Sequence, residues 1–120
     1  MPMLSTSIGR VFLATIPQSE RAYIVNKLLS EEDKASQKRI LSMLEEEFLV
    51  YEERGYCRSM GDWKLGVNAI AAPVHLKNID SDLIVLSISG PAFMVAEEYL
   101  EEKLAADLLS LSMHISRQFD

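Results

Sequence analysis

Ser87 and Ser89 flank Ile88 in the string LSISGP, Leu86–Pro91. On an extended strand alternate side chains share a face, which puts both hydroxyls on one side and Leu86 and Ile88 on the other. Two hydroxyls on one sheet face suit an amphiphilic pocket with a few placed polar groups. A second cluster, Ser5-Thr6-Ser7-Ile8-Gly9, lies where a helix is expected to begin. A helix N-terminus carries unpaired N–H groups and a partial positive charge, so it attracts anions, and neighbouring hydroxyls add hydrogen bonds. The chemistry on offer is non-covalent binding of a small anion such as a carboxylate. Each cluster also has a simpler reading, as serines bonded to the backbone or as plain helix capping. The residues alone leave both readings open.

Covalent and metal chemistry find little support. Cys57 is the only cysteine, and the two histidines, His75 and His114, are far from it in sequence. A thiol nucleophile needs a base to activate it, and nothing places one there. No ligand-spacing motif supports a metal site from these three residues, and no phosphate-binding loop or zinc-protease string occurs. The expectation is a protein that is not an enzyme and takes no metal or cofactor. Trp63 and Lys64 lie in a turn between strands. A tryptophan in such a turn either covers a pocket mouth or packs on the surface. The lysine either pairs with an acidic ligand or is solvated.

The elements that position these residues follow from periodicity. Ile8, Val11, Phe12 and Ile16 recur at helical spacing in a first helix, Leu4 to Ile16, which Pro17 ends. A second helix runs to Leu29. A third begins in capping style at Ser30-Glu31-Glu32-Asp33, carries Ile40, Leu44, Phe48 and Tyr51 as one apolar stripe, and ends at Gly55. Three extended pieces follow: Tyr56–Ser59, Val67–Leu76 and Leu83–Ser89, the last broken by Gly90-Pro91. Gly61-Asp62 and Gly66 mark one turn, and Lys77–Asp82 is a polar connection. A final helix presents Leu100, Leu104, Leu108, Leu111, Ile115 and Phe119 on one face. The acidic runs Glu45–Glu47, Glu52–Glu53 and Glu97–Glu102 read as solvated helix faces. The fold class is α+β, with an antiparallel sheet of about three strands and long amphipathic helices. That sheet is thin for so much apolar helix surface.

At 120 residues the chain is one domain, 1–120, by the prior of ~100–200 residues per domain. A net charge of −6 denies it the basic face that phosphate contacts need, so direct contact with nucleic acid is not expected. The longest apolar runs, Ala69–Val74 and Leu83–Leu86, fall short of the ~20 residues of a membrane helix. A lone cysteine excludes an internal disulfide, and the reducing cytoplasm is the expected compartment.

Several stretches occur together and in order: PMLSTSIGRVFLA (Pro2–Ala14), PQSERAYIVNKL (Pro17–Leu28), EERGY (Glu52–Tyr56), LGVNAIAAPV (Leu65–Val74) and LSISGP (Leu86–Pro91), then the amphipathic C-terminal helix. Together they resemble the effector-binding domain of IclR-type bacterial transcription regulators. The resemblance implies a GAF-like sensor that binds a small organic molecule, often a carboxylate or aromatic acid, and so shifts oligomerisation and DNA binding. In that family a winged helix-turn-helix, a linker helix and roughly the first half of the sensor sheet precede the segment that starts here at Pro2. By resemblance the chain is a truncated gene product, a natural orphan fragment or a piece cut from a longer protein. The family pattern places the effector against Ser5, Thr6, Ser7, Ile8, Gly9, Ser59, Ala69, Ser87 and Ser89. Ala69 stands where several relatives carry cysteine, and Ser59 or Met60 where an acid is common. Those changes remove polar anchors and leave room for a bulkier or more apolar ligand. The alternative is a structural module that only self-associates, since an incomplete sheet exposes an edge that invites pairing. Either way a homodimer or higher oligomer is expected.

Overall fold

In the computed structural model, which describes residues 2–76 and 83–118, Thr6 starts the first helix. Its hydroxyl accepts from the N–H of Gly9 at 3.1 Å and donates to the carbonyl of Pro2 at 2.9 Å. Helix α1 covers Ser7–Thr15, and α2 covers Gln18–Leu29 behind Pro17. Helix α3, Lys34–Arg54, is capped by Asp33, whose carboxylate accepts from the N–H of Ser36 at 2.7 Å. The polar run Ser30–Asp33 thus opens α3 at its last residue, while Ser30 closes α2. Gly55 ends α3 at φ 88°, a left-handed conformation that a side chain would disfavour.

Strands β1 (Cys57–Met60), β2 (Val67–Val74) and β3 (Ile84–Pro91) form one antiparallel sheet in the order β1-β2-β3. The C-terminal helix is α4 (Glu97–Tyr99), a π-helical turn (Leu100–Leu104) and α5 (Ala105–Gln118). The expected α+β class is the observed one. Strand ends differ from expectation. Gly90 and Pro91 do not break the strand, because they pair with Asn68 and Val67 on the neighbouring strand. At the other end β2 stops at Val74, and the serines of α5 take over the carbonyls nearby. Ser112 donates to the carbonyl of Pro73 at 2.6 Å, and Ser116 to that of His75. Ser112, not Leu111, is buried on this helix, and Leu111 stays exposed. Lys77–Asp82 and Phe119 lie outside the described residues.

The two faces of the sheet carry different layers. Ile70, Ala72, Leu86 and Ile88 pack against Leu100, Ala105 and Leu108 of the C-terminal helix. On the other face Cys57, Ala71 and Val85 meet Ile8, Val11 and Ala14 of α1. A third cluster, Leu13, Val25, Leu29 and Leu44, joins α1 to α2 and α3. Helix α1 is thus held on two sides, by the sheet and by the other helices. Among the described residues no helix is long and apolar enough to cross a membrane.

The acidic runs are not uniformly solvated, which corrects the expectation at two positions. Glu47 is buried, with its side chain 7 % exposed, and bonds the Arg58 guanidinium at 2.8 Å and the Arg58 N–H at 2.6 Å. Glu101 pairs with the same guanidinium at 2.9 Å. Burial disfavours the Arg58 charge, but the bonds and fields of Glu47 and Glu101 outweigh it and hold the guanidinium above its ordinary value. One side chain on β1 therefore ties α3 to the C-terminal helix. Glu47→Gln leaves a largely buried cation with less of its counter-charge, and we predict a loss of about 3 kcal/mol in urea unfolding. Glu46, which reaches the same guanidinium from an exposed position, is the control, and Glu46→Gln is expected to change little.

Candidate functional site

The sheet face beneath α1 is built of small side chains. Antiparallel pairing places Ser59, Ala69 and Ser89 in one row across the three strands, and Cys57, Ala71 and Ser87 in the next. Small residues in both rows leave a gap between the sheet and the N-terminal turn of α1. The gap is a cavity lined by Thr6, Ser7, Ile8, Ser59, Trp63, Val67, Ala69, Ser87 and Ser89. The cavity volume is ≈ 50 Å³, within ≈ 400 Å³ of empty space that includes open solvent.

The wall offers hydrogen-bond donors and no ionisable group. The N–H groups of Ser7 and Ile8, in the first turn of α1, have no acceptor among the described residues, because Thr6 caps only Gly9. The hydroxyls of Ser7, Ser87 and Ser89 are likewise without partners among the described residues. Ile8, Val67, Ala69 and the Trp63 ring supply the apolar remainder. Such a wall can bind an anion through dipoles at the helix start without a compensating cation.

The nine residues singled out from the sequence do not all reach this wall. Thr6, Ser7, Ile8, Ser59, Ala69, Ser87 and Ser89 line it. Ser5 and Gly9 do not. Ser5 lines a separate cavity of ≈ 570 Å³ beside Met3, Leu28, Ile40 and Met43. Gly9 is pressed against the backbone of Met3, where even a Cβ would lie 2.2 Å from the Met3 carbonyl oxygen. Ser59 is present but occupied, since its hydroxyl donates to the carbonyl of Ser5 at 2.6 Å. Thr6 is similarly committed to its own cap. Val67 was missed, although strand alternation puts it on the face of Ala69. Lys64 lies over the Trp63 ring, its ammonium 4.7 Å from the centroid.

Arg10 was also missed. It is almost wholly buried, one helical turn beyond Ser7, and donates to the carbonyls of Leu4 at 2.9 Å and Arg58 at 2.7 Å and to Asp62 at 2.9 Å. Arg10 falls on the side of α1 away from Ile8, Val11 and Phe12, so helical spacing carried no signal of its burial.

These features now meet an external comparison. Residues 1–117 match the family described as bacterial transcriptional regulator IclR, C-terminal. The chain belongs to this family. No curated protein matches the sequence. Among solved structures the chain is similar to an IclR family transcriptional regulator from Brucella abortus, at 29 % identity and a TM-score of 0.91. That match covers 100 % of this chain and 44 % of the other. It is similar to Pseudomonas aeruginosa HmgR at 30 % identity and a TM-score of 0.70, over 99 % of this chain and 45 % of that one. The inducer-binding domain of the Acinetobacter transcription factor PobR, a double mutant in complex with 3-hydroxybenzoic acid, shares the fold. There the identity is 19 % and the TM-score 0.70, over 97 % of this chain and 66 % of that one. The chain thus spans less than half the length of the IclR regulator from Brucella and of HmgR. Family and neighbours are transcription regulators rather than enzymes.

The Cys57 thiol is buried. Burial, with a smaller contribution from Glu47, pushes its thiol up to about 12. The folded state keeps the proton that the unfolded chain releases near 9.0, so this contribution to stability is complete below 9.0 and disappears as pH rises toward about 12. We predict that Ellman's reagent at pH 8 leaves the folded protein unlabelled and titrates one thiol in guanidinium chloride. Rapid labelling in native buffer would contradict the burial of this residue.

Proposed function

We propose that this chain is the effector-sensing portion of an IclR-type transcription regulator and that the cavity under α1 is its effector site. The observation that carries this reading is the cavity wall, which brings the first turn of α1, with two N–H groups unpaired among the described residues, together with Ser87 and Ser89 and an apolar remainder. The ligand class it suits is a small organic acid. Its carboxylate sits at Ser7 and Ile8, its body lies against Val67, Ala69 and Trp63, and Ser87 and Ser89 bond its polar substituents. The mechanism is linkage. The acid binds one quaternary arrangement more tightly than another and shifts the population by that difference. DNA contact belongs to a part of the regulator outside this acidic segment, and the cytoplasm is its place of action.

Self-association belongs to the same proposal. β3 forms an edge of the sheet among the described residues, and Leu83 and Ile84 at its start are exposed. Edge strands pair readily with a second chain. The same observation favours the reading in which the domain only oligomerises and takes no ligand. A dimer or tetramer is expected by light scattering at micromolar concentration, and a clean monomer would defeat that part.

The two readings separate in a thermal-shift screen against pyruvate, benzoate, 3-hydroxybenzoate and related acids. A ligand present at about 100 times its Kd stabilises the fold by about 2.7 kcal/mol, a rise in Tm on the order of 10 °C for a domain of this size. Ser87→Ala is expected to weaken binding of 3-hydroxybenzoate about fivefold, as loss of one hydrogen bond to a neutral substituent does, with the ligand-free Tm preserved. No shift across the panel would leave the oligomerisation reading standing.

A further inference from the structure

The cavity has two opposed walls, the N-terminal turn of α1 and the turn between β1 and β2 that carries Trp63. The second is a turn of six residues bounded by Gly61 at φ 74° and Gly66 at φ 82°, conformations that favour glycine. Its far end is tied to the next turn by the N–H of Ala92, which donates to the carbonyl of Gly66 at 2.6 Å. Its near end is closed by a backbone bond from the Gly61 N–H to the Val67 carbonyl at 2.9 Å, and it is held to α1 by one side-chain contact among the described residues, the 2.9 Å pair between Asp62 and Arg10. Arg10 stands on the helix that forms the opposite wall. It is 1 % exposed, and its other two bonds hold the lead-in to that helix and strand β1. Asp62 keeps 29 % of its side chain open to water, so its end of the pair is the one that can let go.

We propose that the Arg10–Asp62 pair is a positioning latch that fixes Trp63 as a wall of the cavity and thereby sets the size of acid the site admits. The latch itself rests on geometry alone; the size consequence rests on the cavity being the effector site. A cavity of ≈ 50 Å³ holds a few waters, so the body of an aromatic acid needs more room, and Trp63 is one of the side chains that border it. With the latch shut the site favours small acids. With it open the Trp63 turn retreats about its glycines and larger flat acids gain contact with the ring.

Trp63 is the only tryptophan, so its emission reports this wall directly. The experiment compares the intact chain with Asp62→Ala and Asp62→Glu, first without ligand and then with benzoate and 2-naphthoate as probes. Circular dichroism establishes that each variant keeps the fold. Acrylamide quenching of Trp63 is expected to rise by about twofold or more in Asp62→Ala, as for a turn released from its tether, and to return toward the parent value in Asp62→Glu. The preference for 2-naphthoate over benzoate is expected to rise by about fivefold in Asp62→Ala, the low end of coupling between linked elements. Unchanged quenching in a folded Asp62→Ala overturns the latch. Increased quenching with an unchanged acid preference overturns the size filter. Increased quenching in a protein that binds neither acid leaves the latch standing and removes the acid-receptor reading beneath it.

Discussion

The open first turn of α1 over a patch of small side chains is the constraint on which the molecule's other features depend. In the proposed site an anion would accept from the Ser7 and Ile8 N–H groups, above the room that Ser59, Ala69, Ser87 and Ser89 leave. On the opposite face the same strands carry Ile70, Leu86 and Ile88, which fill the core against the C-terminal helix. One sheet therefore stabilises the fold with one face and leaves a gap with the other. Larger residues in the rows of Ala69 and Ala71 would close that gap and cost no secondary structure, so the cavity is a property of side-chain size and not of topology.

Charge is kept out of the cavity and concentrated beside it. Arg10 and Arg58 are the pivots. Arg58 gathers carboxylates from α3 and the C-terminal helix, and Arg10 gathers backbone carbonyls and Asp62. Neither lines the cavity. A buried cation with its full set of partners holds elements at fixed separation, because loss of any one partner exposes an unpaired charge to a poorly solvating interior. The separation held here is that between α1, β1 and the Trp63 turn. A neutral site framed by rigid ion pairs discriminates by shape and by the direction of its donors more than by net charge.

Periodic elements could be read from the sequence because helices and strands repeat their contacts locally. The stripe of Ile40, Leu44, Phe48 and Tyr51 and the alternation around Ile88 are of this kind, and both faces are as the spacing implied. What resisted reading was set by partners distant in the chain. Glu47 sits in a run of three glutamates that looks solvated, and only Arg58, eleven residues on and in another element, buries it. Gly90-Pro91 has the composition of a strand end, yet β2 continues alongside and Pro91, at the end of the edge strand, lacks only an N–H that the ladder can spare there. At the site, residue type announced the hydroxyls of Ser59 and Thr6 but not that each was already spent on a carbonyl or a cap. Arg10 gave no local pattern, because its role lies wholly in contacts to Leu4, Arg58 and Asp62.

The most direct measurement of the central claim is a two-dimensional amide spectrum of the isotopically labelled chain titrated with benzoate. The account predicts that the Ser7 and Ile8 amide protons move downfield together and saturably, as N–H groups do on gaining a charged acceptor, while Ser87 and Ser89 shift with the same midpoint. Saturable shifts confined to the Met3, Leu28 and Met43 cavity, with Ser7 and Ile8 unmoved, would contradict it.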